Sequence, residues 1–292
     1  MKRFATLLLV GFTLLGCSRP EDSNDGINSY VTTIYADESF RPFMETSGMT
    51  YEGRYPEKTI AFEFVSEQKA LRALIDDKTK TAIVSRDFTK DEKVQLKKGK
   101  IVVNTTLLAK DAVVLIINNE NQDSTLTVDE LKSILRGTTK RNLVIDQSQS
   151  ANFLYLSNLI DKQPFGKNVF VHQSNRSVIN YVQKNKNTIG VIGYNWIGDL
   201  EDPVVQQFRK QFKIMRIARE SNQKYYEPYF RTIDRDEYPL TRFLYAINKG
   251  ASDGLNASYI NFIASDIGQR LVEKAGIIPA RKTERQINII SE

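Results

Sequence analysis

From residue 31 onward, short β-branched runs alternate with segments whose apolar residues recur at helical spacing. Residues 31–35 (VTTIY), Thr59–Val65 and Thr81–Val84 read as strands. Between them, residues 40–46 predict a short helix. Ala70, Leu71, Leu74 and Ile75 predict another behind a Ser66 cap. The same alternation continues with β-rich runs at 101–108 and 111–118, a helix at Val128–Leu135 that stops before Gly137, and a strand at 143–145. A helix at 151–160, a strand at Val169–Val171, a helix at 176–184 and a strand at 188–194 follow. Residues 213–218 and 240–248 predict strands, and 256–274 one or two helices. Thr89 with Glu92, and Thr127 with Glu130, have the spacing of capping boxes.

This order predicts an α/β fold with mostly parallel sheets flanked by helices. Such sheets gather ligands at the carboxyl ends of their strands. Three polar loops sit there: 37–40, 85–87 and 148–152. The first and third run straight into helices, whose unpaired N–H groups and dipole can hold an oxyanion. Ser39 and Ser150 add hydroxyl donors, and each loop read singly is also an ordinary helix cap. One charged hydrogen bond is worth about 1.5–3 kcal/mol, whereas micromolar binding needs about 8 kcal/mol, so several loops must converge.

Composition narrows the chemistry. The formal charge of +6 becomes +4 without Lys2 and Arg3, and the remaining basic residues are scattered; this argues against a nucleic-acid partner. With one histidine, His172, and one cysteine, Cys17, neither a zinc site nor a histidine-based triad is expected. We expect no enzyme activity, no cofactor and no metal. Asp234 and Asp236 read as loop charges, and the aromatic stretch at Tyr225, Tyr226, Tyr229 and Phe230 as packing.

The first 17 residues combine Lys2 and Arg3, an apolar run at 5–15 too short to span a bilayer, and the ending Leu14-Leu15-Gly16-Cys17. This ending resembles the lipobox of bacterial lipoproteins, which implies removal of residues 1–16 and acylation (palmitate) of Cys17. Residues 17–29 then form a lipid-anchored polar tether, and the chain belongs in the cell envelope, facing the periplasm or outside. The 276 residues after position 16 suffice for two lobes.

Several motifs occur in a telling order: 83–92 (IVSRDFTKDE), 111–118 (DAVVLIIN), 126–131 (LTVDEL), 189–194 (IGVIGY), 238–242 (YPLTR), Gly268-Gln269, and 276–279 (GIIP). The series resembles the PstS-like phosphate-binding proteins of phosphate ABC importers across about 31–279, with 35–42 (YADESFRP) closer to a lipoprotein branch. The resemblance implies a two-lobed periplasmic-binding-protein (type II) fold with two hinge crossings. Lobe 1 would comprise 30–113 plus 245–292, and lobe 2 would comprise 114–244. It also implies that the protein captures phosphate or a similar oxyanion in the cleft and hands it to ABC transporter membrane subunits. A ligand-sensing or interaction lipoprotein of the same fold, without transport, is the alternative.

Carried onto this chain, the ligand-binding positions are Ser39, Phe40, Ser85, Arg86, Ser148, Ser150, Ala151 and Asn152. The family's Asp after the second-loop serine is Arg86 here, and its Arg four residues before the third-loop serine is Asp146. The exchanged charges lead us to expect an Arg86–Asp146 pair across the cleft. Glu38 or Asp87 would accept the proton of hydrogen phosphate.

Overall fold

Apolar runs without alternation are buried on both faces, and here they become the interior strands of a wide sheet. The structure, a computed structural model, describes residues 31–250 and 254–281. Cys17, the signal segment and the tether lie outside the described residues.

The first lobe contains β1 (Val31–Asp37), a 3-10 turn (Glu38–Phe40), α1 (Arg41–Arg54), β2 (Thr59–Val65), α2 (Glu67–Ile75), β3 (Thr81–Val84) and α3 (Lys90–Lys98). The long strand β4 (Val103–Ile117) leads into β5 (Thr125–Thr127), α4 (Val128–Leu135), β6 (Asn142–Ile145), α5 (Ala151–Leu159), β7 (Val169–Val171) and α6 (Asn175–Lys184). Next come β8 (Thr188–Gly193), a 3-10 turn (Tyr194–Trp196), α7 (Pro203–Arg209), β9 (Lys213–Ile214), β10 (Arg216–Ala218) and α8 (Phe230–Asp234). The chain returns through β11 (Thr241–Lys249) to α9 (Gly254–Ala264), α10 (Asp266–Lys274) and β12 (Ile278–Pro279).

The strands lie in the order β2-β1-β3-β11-β4-β8-β6-β7, with β12 and β9 also paired to β4. Strands β2, β1 and β3 are mutually parallel, and so are β7, β6 and β8. The antiparallel pairs in this sheet all involve β4 or β11. Each lobe is thus a parallel triplet closed by a crossing strand. The crossings bind each other: Val113 N–H donates to Leu240 O at 2.8 Å, and the Tyr238 hydroxyl donates to Val113 O at 2.9 Å.

Both predicted capping boxes form, at α3 and α4. Three expectations need correction. The runs at 101–108 and 111–118 fuse into one strand, because Asp111, which breaks the pattern, is buried against Arg242 instead of turning to solvent. Residues 213–218 split at the buried Met215, so that β9 joins β4 while β10 pairs with β5 in a separate ribbon. The helix expected at 40–46 runs on to Arg54, with Gly48 against the Phe62 ring; a Cβ there would lie 2.7 Å from Phe62 Cε2.

The burial pattern explains why this order holds. All six residues of β8, and Ala112 to Ile117 of β4, are buried. Amphipathic helices such as α2, α4 and α6 cover the strands with Leu71 and Leu74, Leu131 and Leu135, and Val178 and Val182. The packing therefore brings the carboxyl ends of β1 and β3 opposite those of β6 and β8. Among the described residues no helix is long and apolar enough to cross a membrane.

Candidate functional site

Where the strand ends meet, polar side chains are sealed from water. Asp37, Ser39, Asp111, Asp146, Ser150, Asn152 and Asn175 are all fully buried. Buried charges need partners, and here Asp37 and Glu38 find some of theirs on the opposite lobe.

Asp37 ends β1. Its Oδ1 accepts the Ser39 N–H at 3.0 Å and the Ser39 hydroxyl at 2.5 Å, while Oδ2 accepts the Ala151 N–H at 2.9 Å. Ala151 is the first residue of α5, so the carboxylate sits on the positive end of that helix. Ser150 caps α5 by accepting the Phe153 N–H at 3.1 Å, and its hydroxyl donates to Asp146 Oδ1 at 2.6 Å. A second carboxylate makes a similar crossing: Glu38 Oε2 accepts the Asn175 N–H at 3.0 Å and its Nδ2–H at 2.7 Å at the start of α6. Asn175 also donates to Asp146 Oδ2 at 3.0 Å.

The buried cation of the site is Arg242 on β11, while Arg41 lies 3.6 Å from Glu38 Oε1 at its edge. Arg242 donates to Asp111 Oδ2 at 3.1 and 2.9 Å, to Asn152 Oδ1 at 2.8 Å and to Ser39 Oγ at 3.2 Å. Its guanidinium carbon lies 4.6 Å from the Phe40 ring centroid, so Phe40 contributes a π face beneath the charge. Asn195 Nδ2–H and Trp196 Nε1–H both donate to Ser39 O, at 2.7 and 3.1 Å. Gly193 leaves no space for a side chain: a Cβ there would lie 2.8 Å from Arg242 Nη2 and 2.9 Å from Ser39 O.

Electrostatics follow from burial. Desolvation pushes Asp37 and Glu38 above the usual carboxylate range, against the hydrogen bonds that favour their charged forms. Asp146 is raised well above that range, first by burial and then by the neighbouring Asp37 charge. Asp111 is also raised by burial, although Arg242 opposes the shift.

The second loop is arranged differently. Glu67, at the start of α2, accepts both the Ser85 N–H and the Ser85 hydroxyl, the latter at 2.6 Å. Burial, then the Asp37 charge, pushes Glu67 up to about 7. Arg86 forks onto Glu92 at 2.7 and 3.0 Å and lies 3.5 Å from Glu67 Oε1. Glu92 is drawn down to about 2, chiefly by these Arg86 hydrogen bonds. The expected Arg86–Asp146 pair does not form in this structure. Arg86 is held by two acids near its own loop, and Asp146 is held by neutral donors, Ser150 and Asn175. Asp87 also stays out of the cleft, bound to Lys93 at 2.6 Å, Thr105 at 2.9 Å and the Phe88 N–H at 2.7 Å.

Of the positions expected from sequence, the structure brings Glu38, Ser39, Phe40, Asp146, Ser150, Ala151 and Asn152 together. Ser85 and Arg86 stand beside them on Glu67, and Ser148 is exposed on the loop surface. Sequence reasoning passed over Asp37 as a cap and did not single out Glu67, Asp111, Asn175 or Arg242. One signal was available: Asp111 and Arg242 are charges of opposite sign, each set in an apolar crossing segment.

Two α/β lobes joined by paired crossing strands, with helix starts and strand ends enclosing a polar cleft, define a two-lobed binding protein. The chain belongs to the PBP superfamily, whose domain matches residues 20–266. It is 23% identical over 271 residues to the phosphate-binding protein PstS of Borreliella burgdorferi, covering 86% of this chain and 90% of that one. It is 27% identical over 216 residues to PstS of Staphylococcus epidermidis, where the match takes in 68% of this chain and 63% of the relative's length. In three dimensions it resembles a putative phosphate ABC transporter substrate-binding protein with bound phosphate from Clostridium perfringens. That likeness has a TM-score of 0.73 at 18% identity and covers 86% of this chain and 100% of the other.

Proposed function

We propose that the protein is a solute-binding receptor of the cell envelope that captures phosphate or a similar small oxyanion between its lobes for ABC import. The observation that carries this reading is the seat of the Asp37 carboxylate. Two N–H groups and a hydroxyl, drawn from both lobes, converge on its oxygens. A carboxylate is itself an oxyanion, so the same donors suit phosphate oxygens. The relatives named phosphate-binding proteins support the choice of ligand.

In this reading the mechanism is capture and closure, with no bond made or broken. Ser39, the Phe40 N–H, Ser150, Ala151 and Asn152 surround the anion, and Arg242 supplies the positive charge from the crossing strand. Ser85 and Arg86 flank the seat, and Glu38 stands where a proton of hydrogen phosphate would be accepted. Acylated Cys17 would anchor the receptor to the bilayer, with 17–29 as its tether, and ABC transporter membrane subunits would receive the ligand. Calorimetric titration of the purified protein with phosphate, then sulfate, tests the reading. We expect saturable heat with phosphate and less with sulfate; no heat and no thermal shift at millimolar phosphate would defeat it.

A further inference from the structure

The Ser39, Ser150, Ala151 and Arg242 donors are already engaged by carboxylates of the protein itself. Asp37 is the key case, because its two oxygens serve different lobes: Oδ1 binds Ser39 on its own lobe, and Oδ2 binds Ala151 N–H on the other. A carboxylate of the chain thus fills the place of an anion and ties the lobes together.

We infer that Asp37 is a built-in anion that latches the cleft shut and sets the affinity for an incoming oxyanion, which must displace it from the start of α5. The inference rests on the oxyanion reading for its second half only; the latch stands on geometry alone. Four features converge on it. The carboxylate is fully buried, so water does not offer its donors an alternative. Three donors reach its two oxygens at 2.5–3.0 Å. Glu38 repeats the arrangement at α6, so that two helix starts of the second lobe each hold a carboxylate from the first. Finally, Ser39, the residue Asp37 caps, offers its carbonyl to Asn195 and Trp196 across the same junction. Loss of the Asp37 bridge therefore loosens a connected set of contacts, not one bond.

The single tryptophan of the chain, Trp196, reports on the latch. It is 5% exposed, and its indole N–H donates across the junction, so opening the cleft wets the ring. Two substitutions break the bridge from opposite sides. Asp37→Ala removes the carboxylate and frees the donors. Ala151→Pro removes the N–H at the first helical position, where proline is tolerated, and Ser150 before it already has the extended backbone that a proline requires. Circular dichroism and a cooperative melt establish that each variant is folded, and Asp37→Asn provides a third, near-isosteric variant.

Both Asp37→Ala and Ala151→Pro should shift Trp196 emission to the red, with a larger radius of gyration in solution scattering. Phosphate should reverse the shift in Asp37→Ala, binding roughly tenfold or more tightly than to the wild type. Ala151→Pro, which lacks a donor, should gain no affinity. A red shift in both variants that phosphate leaves untouched upholds the latch and removes the phosphate reading. Wild-type emission in both folded variants, with phosphate affinity unchanged in Asp37→Ala, overturns the latch while leaving phosphate capture standing.

Discussion

The two lobes share one plan, a parallel triplet with loops at its strand ends, yet they bring opposite chemistry to the cleft. The first lobe presents acceptors: Asp37 Oδ2, Glu38 Oε2 and the Ser39 carbonyl. The second lobe presents donors: the N–H groups of Ala151 and Asn175, the Asn195 amide and the Trp196 indole. Arg242 belongs to neither plan. It rises from the crossing strand and touches Ser39 of one lobe, Asn152 of the other and Asp111 beside itself. Closure here therefore joins unlike surfaces. Acid side chains of one lobe occupy helix starts of the other, and the Arg242 guanidinium pairs with the Asp111 carboxylate between them.

Removing that guanidinium should have the largest effect. Arg242→Met leaves Asp111 buried without its cation, at a cost of about 3–5 kcal/mol. The melting temperature should fall by about 10 °C. A melt within a degree or two of wild type would mean that Asp111 is neutral and the cation is not needed to join the lobes.

Glu67→Gln should sharpen the contrast between the second loop and the cleft proper. Glu67 is raised from 4.5 to about 7, so the native state holds its proton more tightly than the unfolded chain does. The stability this gives is fully present below about pH 4.5 and is lost as pH rises through about 7. The loss amounts to roughly 3 kcal/mol. Wild-type stability should therefore decline over that window, and the glutamine variant should decline less. The same change in unfolding free energy between pH 5 and pH 8 in wild type and variant would show that Glu67 does not titrate there. Asp37 and Asp146, also raised, act with the same sign and leave a residual slope in the variant.

Ser150→Ala should have the smallest effect on stability. It removes the cap of α5, worth about 1 kcal/mol, and takes a hydrogen-bond donor from Asp146. Under the proposed function it also weakens phosphate binding. Wild-type affinity in the variant would remove Ser150 from the site, even if the stability loss appears.

Much of the molecule was legible in the chain. Thr59–Val65, Thr81–Val84, Val128–Leu135 and Val169–Val171 have the bounds read from the pattern, because local burial and turn residues decide such elements. Both capping boxes were visible for the same reason. The 37–40 and 148–152 loops were legible as a pair of helix starts after strands, so part of the cleft could be assembled in advance. Arg86 shows where that reasoning stopped. Its fork suits an anion, but its nearest acids are Glu92, six residues on, and Glu67 from the preceding helix, and these claim it first. Asp37 shows the converse: it does cap Ser39 as its sequence context implies, yet its second oxygen reaches 114 residues along the chain.

The alternation of strands and helices, the caps and the loops at strand ends are written locally in the chain, since each depends on neighbours a few residues apart. Which charges meet depends instead on how distant segments pack. Asp111 and Arg242 are 131 residues apart and both are buried, and a buried charge is stable only beside its partner. Their pairing turns two apparent breaks in apolar runs into the junction of the lobes. The same packing places Asp37, a cap by local rules, on the helix start of the opposite lobe.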